Sequence, residues 1–338
     1  MDATSASLIR KLRQTEGLTP LIGEAPIFLS AIAQLSAAAP SDATVLISGE
    51  TGTGKELVAR AIHYLSPRVA FPFVAVNCGG LTDTLLGDEL FGHEPGAFTD
   101  ARGRRPGLLG QAQRGTVFLD EVEALTAQGQ VMLLRVLEDK RFRPLGSTQE
   151  QHADVRFLAA TNAALEPRVQ AGTFRADLFY RLSVFSVHLP PLRNRKGDIV
   201  ALAAHFLQKH AVAQQSPALL SEAARAALLT FDWPGNVREL ENAIIRGIRV
   251  SQTGLIDVED LGLPGTTASP SALVPSTPRP FAALKRIAVH AFEREYLVRL
   301  MNDQHGNVTR AAQAAGKDRR ELGRLLKKHD LDPKSFAG

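Results

Sequence analysis

The sequence is poor in cysteine and has no long apolar run, and each shortage excludes a class of protein. Its 338 residues include a single cysteine, Cys78, so no disulfide forms within the chain and a cysteine-based metal site is not expected. No apolar run approaches the length of a membrane-spanning helix, and the N-terminus lacks the basic-then-apolar pattern of a secretion signal. We therefore expect a soluble, cytoplasmic protein that has no membrane partner.

The charged residues are unevenly distributed along the chain. The formal net charge is +4, but residues 281–338 hold 12 Lys or Arg and 7 Asp or Glu, so the net charge of this segment alone is +5. The preceding residues are nearly neutral. Positive charge concentrated in a short C-terminal piece predicts a nucleic-acid-binding segment attached to a larger body. The length allows two or three domains, and 44% apolar residues suit ordinary globular cores.

A glycine-rich loop follows the first buried strand that the pattern predicts. Residues 43–48 are almost all apolar, as in a parallel strand that is covered on both faces, and residues 57–64 predict a helix. The loop between them has the spacing of a P-loop, whose backbone N–H groups face phosphates while a lysine supplies positive charge. At Glu56 the generic motif has Ser or Thr, which holds magnesium. The predicted ATP-binding residues of the loop are Gly49, Glu50, Thr51, Gly52, Thr53, Gly54, Lys55 and Glu56.

Two further predicted strands end in polar residues that suit an ATPase. Strand 115–121 delivers Asp120 and Glu121 to its tip, where Asp120 is expected to hold Mg²⁺ and Glu121 to polarise the attacking water. Strand 155–161 ends at Thr161 and Asn162, and the side-chain amide of Asn162 is expected to sense the γ-phosphate. The alternatives without a function are that Asp120 and Glu121 are solvated acids at a strand end and that Asn162 is a turn residue. Ligands collect at the carboxyl edge of parallel sheets, and this favours the functional interpretation.

After the strands the pattern becomes helical, and three arginines there are candidate ATP-site residues. Arg175 and Arg181 either pair with Asp177 or Glu166 in the same chain or reach the ATP of a neighbouring subunit. Helices are predicted at roughly 197–214, 218–229 and 234–250, with Pro234 in the first turn of the last one. Arg238 lies one turn into that helix and is predicted to point back at the nucleotide.

A proline-rich linker at 262–281 separates this body from the basic C-terminal segment. A long helix is predicted at 282–301, a short one at 308–315 and a last one at 318–329. The turn between the last two suits a helix-turn-helix, and a solvated basic helix is the alternative. The predicted DNA-binding residues are Arg319, Arg320, Arg324, Lys327 and Lys328.

One stretch, residues 96–101 within the block 91–101, matches neither a strand nor a helix period. It enters at a glycine, carries the lone aromatic Phe98 at its tip and leaves through an arginine-rich segment. It is therefore interpreted as a loop that exposes one phenylalanine. The alternative is a surface loop whose Phe98 folds back onto the core.

Taken together, these motifs resemble those of the bacterial enhancer-binding proteins that activate sigma-54 RNA polymerase. The resemblance covers nearly the whole chain and rests on the blocks at 49–56, 89–94, 115–121, 174–178 and 233–240. It implies an α/β fold, an AAA+ P-loop parallel sheet with a helical lid, and a C-terminal all-α helix-turn-helix of the Fis type. The implied divisions are a short N-terminal segment at 1–20, the α/β subdomain at 21–190, the lid at 191–261, the linker at 262–281 and the helix-turn-helix domain at 282–338.

The resemblance also implies roles for the matched positions. Asn77 is similar to the residue that relays the state of the catalytic glutamate, Thr161 and Asn162 to the first sensor, and Arg238 to the second. Arg175 and Arg181 resemble arginine fingers that act on the next subunit, which implies a homo-oligomeric ring, by analogy a hexamer. The implied sigma-54 contact residues are Gly96, Ala97, Phe98, Thr99, Asp100 and Ala101.

The sequence departs from the family pattern at two positions. The second glycine of the exposed loop is replaced by Asp100, which tolerates left-handed backbone angles but adds a negative charge where sigma-54 or promoter DNA approaches. Lys317 follows the turn glycine, where an apolar residue is usual. Glu56 is not a departure, since the family itself has glutamate there.

The sequence thus predicts an ATP-driven transcription activator that binds upstream DNA and remodels the closed complex of sigma-54 RNA polymerase holoenzyme and promoter. The alternative is a DNA-binding regulator that acts by occupancy, in which nucleotide only controls oligomerisation. A general protein-unfolding machine does not explain the basic tail. Because residues 1–20 leave no room for a sensor domain, control by a separate inhibitory or activating protein, or by expression level, is expected.

Overall fold

The computed structural model describes residues 21–98, 101, 103–210, 218–251, 254–263, 293, 297, 300, 301, 304 and 307–329. The chain divides into two compact units, one ending at Leu263 and one beginning at Pro264. The linker prediction is wrong at its start, because Leu263 is buried in the apolar core of the first unit. The rest of the predicted linker and most of the helix predicted at 282–301 lie outside the described residues. No helix in the described part of the chain is both long and apolar enough to cross a membrane.

A five-stranded parallel sheet forms the centre of the first unit. The sequence predicts a parallel sheet but identifies no strand at Phe185–His188. The strands along the chain are β1 (Val45–Ser48), β2 (Phe73–Asn77), β3 (Gly92–His93), β4 (Arg105–Pro106), β5 (Thr116–Asp120), β6 (Arg141–Phe142), β7 (Gln151–His152), β8 (Arg156–Thr161), β9 (Phe185–His188), β10 (Leu219–Leu220) and β11 (Leu255–Ile256). The order across the sheet is β2-β5-β8-β1-β9. Asn77 pairs with Asp120 and Ser48 with Thr161, so the polar strand tips meet at one edge.

Helices cover both faces of this sheet. In chain order the α-helices of all the described residues, including those of the lid and of the second unit, are α1 (Pro26–Ala38), α2 (Lys55–Tyr64), α3 (Asp83–Phe91), α4 (Leu108–Gln111), α5 (Ala127–Asp139), α6 (Leu165–Gln170), α7 (Ala176–Leu182), α8 (Ile199–Lys209), α9 (Glu222–Thr230), α10 (Asn236–Val250), α11 (Val258–Leu261), α12 (Val308–Ala314) and α13 (Arg319–Lys328). Alternate residues of β8 point to opposite cores: Phe157 packs with α5, and Leu158 packs with α1 and α2. This two-sided burial explains the continuous apolar runs of the strands.

Arg156 is the one charged residue of β8 and precedes four apolar residues of that strand. Its side chain is buried and donates hydrogen bonds to the carbonyl oxygens of Ala38 and Ala39, at 2.7 and 2.8 Å. These are carbonyls at the end of α1, which lack partners within the helix. Burial lowers the pKa of Arg156 to about 10. The arginine thus fixes the end of a helix that covers one face of the sheet.

Helices α8 to α11 form the lid, together with the connector Leu192–Asp198 that leads into them. They pack around Trp233, which is fully buried and donates from Nε1 to the carbonyl oxygen of Leu228 at 2.8 Å. The purely helical prediction is wrong at β10 and β11, a short parallel pair inside the lid. It is also wrong about Pro234: the last long lid helix begins at Asn236, so the proline lies before Gly235, its N-cap.

Helices α12 and α13 belong to the second unit, and the turn between them contains Gly316 with a left-handed φ of 63°. Asp318 caps α13 by accepting a hydrogen bond from the backbone N–H of Glu321 at 2.8 Å. Leu322 and Leu326 are buried four residues apart, so one face of α13 packs inward. Lys317 is exposed and pairs with the carboxylate of Glu321, so the unusual lysine does not disturb this packing.

The packing of the lid predicts a large difference between two adjacent leucines of α9. Leu228 is 1% exposed in the lid core, whereas Leu229 is 36% exposed. We expect Leu228→Ala to lower the free energy of unfolding of the lid by about 2–5 kcal/mol. We expect Leu229→Ala, which makes the same change in helix propensity, to lower it by less than about 1 kcal/mol.

Chemical denaturation followed by fluorescence measures this difference directly, because Trp233 is the only tryptophan of the chain and lies in the lid core. Equal losses in the two variants would contradict the packing described here.

Candidate active site

A cavity of about 610 Å³ opens where the glycine-rich loop, the strand tips and the lid meet. Ten of the sequence-predicted ATP-site residues line it: Thr51, Gly52, Gly54, Lys55, Glu56, Asn77, Asp120, Glu121, Asn162 and Arg238. They come from the loop before α2, from the ends of β2, β5 and β8, and from the first turn of α10. The aligned strand ends therefore gather side chains that lie far apart in the sequence.

The glycine-rich loop has the backbone that a P-loop requires. Gly49, Gly52 and Gly54 have φ values of 152°, 80° and 102°, which only glycine adopts readily. Helix α2 begins directly after them at Lys55, so its N-terminus faces the cavity. The Lys55 ammonium group donates to the carbonyl oxygens of Gly49 at 2.8 Å and Glu50 at 3.2 Å. Burial lowers the pKa of Lys55, while the negative charges of Asp120, Glu123 and Glu121 act in the other direction and raise it.

Asp120 and Glu121 stand side by side at the end of β5. The Asp120 carboxylate accepts a hydrogen bond from the backbone N–H of Glu121 at 3.0 Å, and burial raises the pKa of Asp120. Glu121 has a left-handed φ of 56°, which is a strained backbone conformation for a residue other than glycine. Such strain is often found at functional sites. The backbone turns sharply between the two residues, so both carboxylates line the cavity.

The donor set of the cavity suits Mg²⁺ bound together with phosphates. Mg²⁺ is held in such sites by one or two carboxylates plus phosphate oxygens and water, and Asp120 offers a carboxylate of this kind. Within the described residues no three His, Cys, Asp or Glu side chains are grouped to hold a metal on their own. The Glu56 carboxylate pairs with Arg60 of the same helix at 2.7 Å, and both residues line the cavity.

The side chains of Asn77 and Glu121 meet at Gly79. The Asn77 side-chain oxygen accepts a hydrogen bond from the backbone N–H of Gly79 at 2.6 Å. A Cβ atom added to Gly79 would collide with the Glu121 carboxylate and lie 2.9 Å from that Asn77 oxygen. Asn77, the predicted relay residue, and Glu121, the predicted catalytic glutamate, are therefore neighbours. The hydrogen bond from the Gly79 N–H fixes the Asn77 side-chain oxygen.

The predicted sensor residues reach the cavity from β8 and from the lid. Asn162 approaches the Thr51 hydroxyl at 3.4 Å, and its backbone N–H donates to Glu123 at 3.3 Å. Thr161 is buried and donates to the carbonyl oxygen of Ala163, so it supports the strand end and does not line the cavity. Arg238 lines the cavity from the lid side.

The two predicted arginine fingers do not line this cavity. Arg175 is exposed and forms a bidentate ion pair with Asp177, at 3.0 and 2.7 Å. Arg181 is exposed and approaches the carbonyl oxygen of Leu137 at 3.4 Å. Within one chain, Arg175 therefore follows the intramolecular alternative that the sequence left open.

The loop that carries Phe98 rises from the short antiparallel pair β3 and β4. Its predicted contact residues Thr99 and Asp100 lie outside the described residues. Phe98 is 39% exposed and packs edge-on against the ring of His93, with 4.9 Å between the ring centres. His93 in turn contacts the Asp88 carboxylate at 2.6 Å. The Phe98 side chain is therefore partly exposed: it is not buried in the core, and it does not extend freely into solvent.

Sequence reasoning missed an apolar cavity of about 60 Å³ beside the main one. It is lined by Gly54, Leu57 and Val237, which also line the large cavity, and by Leu21, Ile22, Phe28, Thr53, Val58, Arg195, Leu202, His205 and Phe206. These residues come from the start of the described chain, from α2 and from the lid. No local motif marks them, because each one alone looks like an ordinary core position.

The five predicted DNA-binding residues of α13 are exposed: Arg319, Arg320, Arg324, Lys327 and Lys328. They are not equivalent, because the Lys328 ammonium group pairs with the Glu293 carboxylate at 2.6 Å. Arg320, Arg324 and Lys327 follow one another at helical spacing and share a face of α13.

Comparison with protein families divides the first unit in the same way as the geometry. Residues 21–188 match the model of the Sigma-54 interaction domain, and residues 193–272 match that of the AAA+ ATPase lid domain. The regulatory protein AtoC of Escherichia coli (strain K12) is 42% identical over 317 residues, which is 93% of this chain and 68% of AtoC. The sigma54-dependent transcriptional activator SfnR of Pseudomonas putida is 48% identical over 246 residues, or 72% of this chain and 67% of SfnR.

Solved structures are similar over the same range. NtrX from Brucella abortus in complex with ADP matches with a TM-score of 0.67 and 35% identity, covering 96% of this chain and 72% of the NtrX chain. The NtrX complex with ATP matches with a TM-score of 0.66 and 34% identity, covering 97% and 73%. The parallel sheet and helical lid are thus those of an AAA+ P-loop ATPase.

The contact between Phe98 and His93 predicts how easily the loop is cleaved. In His93→Ala the phenylalanine loses the ring against which it packs, and we expect chymotrypsin to cleave after Phe98 about two- to tenfold faster. His152→Ala, which removes an exposed histidine from β7, is the control and leaves this rate unchanged. An unchanged rate in His93→Ala would show that the contact does not hold the loop.

Proposed function

The chain belongs to the family of sigma-54-dependent transcriptional regulators, and on that premise we propose that it is an activator driven by ATP hydrolysis. Its AAA+ domain makes it an ATPase. In this proposal a ring of subunits, by analogy a hexamer, binds upstream DNA and remodels the closed complex of sigma-54 RNA polymerase and promoter. The loop 96–101 makes the contact with sigma-54.

The observation that carries the proposal is the convergence of Lys55, Asp120, Glu121 and Asn162 on one cavity below Arg238. Lys55 and the loop N–H groups hold the phosphates. Glu121 accepts a proton from the water that attacks the γ-phosphorus, while Arg238 and Asn162 stabilise the charge on the transferred group. Asp120 would hold Mg²⁺, which neutralises phosphate charge when bound.

Hydrolysis is coupled to the loop through Asn77. In our proposal the Glu121 carboxylate changes its contacts between the ATP and ADP states, and Asn77, its neighbour at Gly79, follows this change. Arg175 and Arg181 lie outside their own cavity and are exposed, which is the arrangement that a finger for the next subunit requires. The Arg175–Asp177 pair opens when the neighbour's ATP competes for the guanidinium group.

The exposed basic face of α13 binds DNA. Arg320, Arg324 and Lys327 share that face, and Asp318 caps the helix start that such a recognition helix presents to the major groove. Phosphate contacts by these cations supply salt-dependent affinity, as in other proteins that neutralise phosphates with Lys and Arg.

Open-complex formation on a sigma-54 promoter with ATP tests the activator proposal. We expect the wild-type protein to form open complexes and both Phe98→Ala and Glu121→Ala to fail. Glu121→Ala also loses ATPase activity by at least about 100-fold, because the proton acceptor is gone, whereas Phe98→Ala still hydrolyses ATP. Val69→Ala removes another exposed apolar side chain and serves as the control.

If the wild-type protein and both variants behave alike, the activator proposal fails. Regulation that persists in Glu121→Ala would instead favour a regulator that acts by occupancy, with nucleotide controlling only oligomerisation.

Adjacent lysines of α13 give a matched test of DNA binding. We expect Lys327→Ala to reduce the slope of log K against log salt concentration by about 1 on a mixed-sequence DNA duplex. Lys328→Ala reduces the slope less, because Glu293 already neutralises that charge. Titrations of the full chain at several salt concentrations measure both slopes, and two unchanged slopes would show that this face does not bind DNA.

A further inference from the structure

The lid binds the carbonyl side of the glycine-rich loop. Three successive loop carbonyl oxygens each accept a hydrogen bond from a lid group. Thr51 accepts from the side-chain amide of Asn236 at 3.1 Å, and Gly52 accepts from the backbone N–H of Val237 at 3.0 Å. Thr53 accepts from the guanidinium group of Arg195 at 3.1 Å. The N–H group of a peptide points away from its carbonyl. The N–H groups that share peptides with the Thr51 and Thr53 carbonyls belong to Gly52 and Gly54, which line the cavity, whereas the Thr53 N–H donates to the Glu50 carbonyl within the loop at 3.3 Å.

Asn236 is the centre of these contacts. It is fully buried and has a left-handed φ of 55°, which asparagine tolerates better than most residues. Its side-chain oxygen accepts from the backbone N–H of Leu192 at 2.8 Å, and its side-chain nitrogen donates to the Glu50 carboxylate at 3.1 Å as well as to Thr51. One amide thus joins the loop, the connector from β9 and the start of α10.

Glu50 completes the contact on the surface side. Its carboxylate accepts two hydrogen bonds from the Arg193 guanidinium group, at 2.8 and 2.5 Å. The bonds from Arg193 and Asn236 lower the pKa of Glu50 to about 2, so the carboxylate is charged throughout the physiological range. Arg193 lies in the connector, so this ion pair joins the loop to the connector, two of the three elements that meet at Asn236.

We propose that Asn236 is a positioning residue that makes the phosphate-binding form of the loop depend on the position of the lid. Helix α10 carries Asn236 at its first position and Arg238 two residues later in the same turn. A movement of α10 therefore shifts two things at once: the Arg238 charge above the phosphates and, through Asn236, the peptide planes of the glycine-rich loop. The inference rests on the proposed ATP turnover and adds to it a route from the lid to the loop.

An isosteric variant separates this role from simple packing. Asn236→Asp keeps the size of the side chain but removes both donor hydrogens and sets a carboxylate against Glu50 and the Thr51 carbonyl. We expect the KM for ATP to rise by about tenfold or more, because buried acceptors lose their donor next to the phosphates. Asn194→Asp adds the same charge to an exposed connector position and is the control, with KM within twofold of wild type.

Exchange of the two partners supplies a rescue that a purely structural role would not show. In the double variant Glu50→Gln, Asn236→Asp the amide and the carboxylate trade places, so an N–H···O contact between positions 50 and 236 returns. We expect the double variant to bind ATP at least about threefold more tightly than Asn236→Asp. A double variant no better than Asn236→Asp, or an Asn236→Asp enzyme with wild-type KM, would overturn the proposal.

A surface variant keeps the test decisive if Asn236→Asp does not fold. Arg193→Ala leaves Asn236 in place and removes an exposed side chain. We expect a severalfold higher KM for ATP at an unchanged melting temperature, and an unchanged KM would count against the proposal. A wild-type protein without ATPase activity would contradict the proposed function alone, since the affinity of the same variants for ADP, measured by calorimetry, still tests the coupling.

Discussion

The structure depends on the peptide orientation of one short loop. A loop that binds phosphates with its N–H groups must direct its carbonyl groups elsewhere, and buried carbonyls need donors. Here the lid supplies those donors, through Asn236, Val237 and Arg195. The sheet places the loop beside Asp120 and Glu121 by aligning the strand ends, and α2 adds a helix N-terminus. The site is thus held from two sides by elements that are distant in sequence.

The features that the sequence could predict are those encoded locally. Apolar runs identified the central strands, glycine spacing identified the loop, and adjacent acids marked the tip of β5. Contacts between distant segments could not be predicted in this way: Asn236 and Glu50 are 186 positions apart, and neither residue type alone indicates the other. The contacts of Arg156 could not be predicted either. In the sequence it is a charged residue in an apolar strand, and only the fold shows that it donates to the last carbonyls of α1. Pro234 was misplaced because Gly235 also suits a helix start.

The loop at 96–101 shows how function and packing share one residue. Phe98 packs against the ring of His93 but keeps 39% of its surface exposed. His93 is itself held by Asp88, in the helix that precedes the loop. A partly exposed side chain is more easily released than a core residue, which suits the partner contact that we propose for this loop.

Gly52 has a consequence for how such proteins diversify. A side chain at this position would run into the backbone carbonyl of Gly235 in the lid, so the glycine is required by the lid as well as by the loop conformation. A chimera that joins this ATPase core to another lid therefore needs an asparagine, an arginine and a close backbone approach that match the loop. Two segments that match separate family models are thus fitted to each other at one glycine.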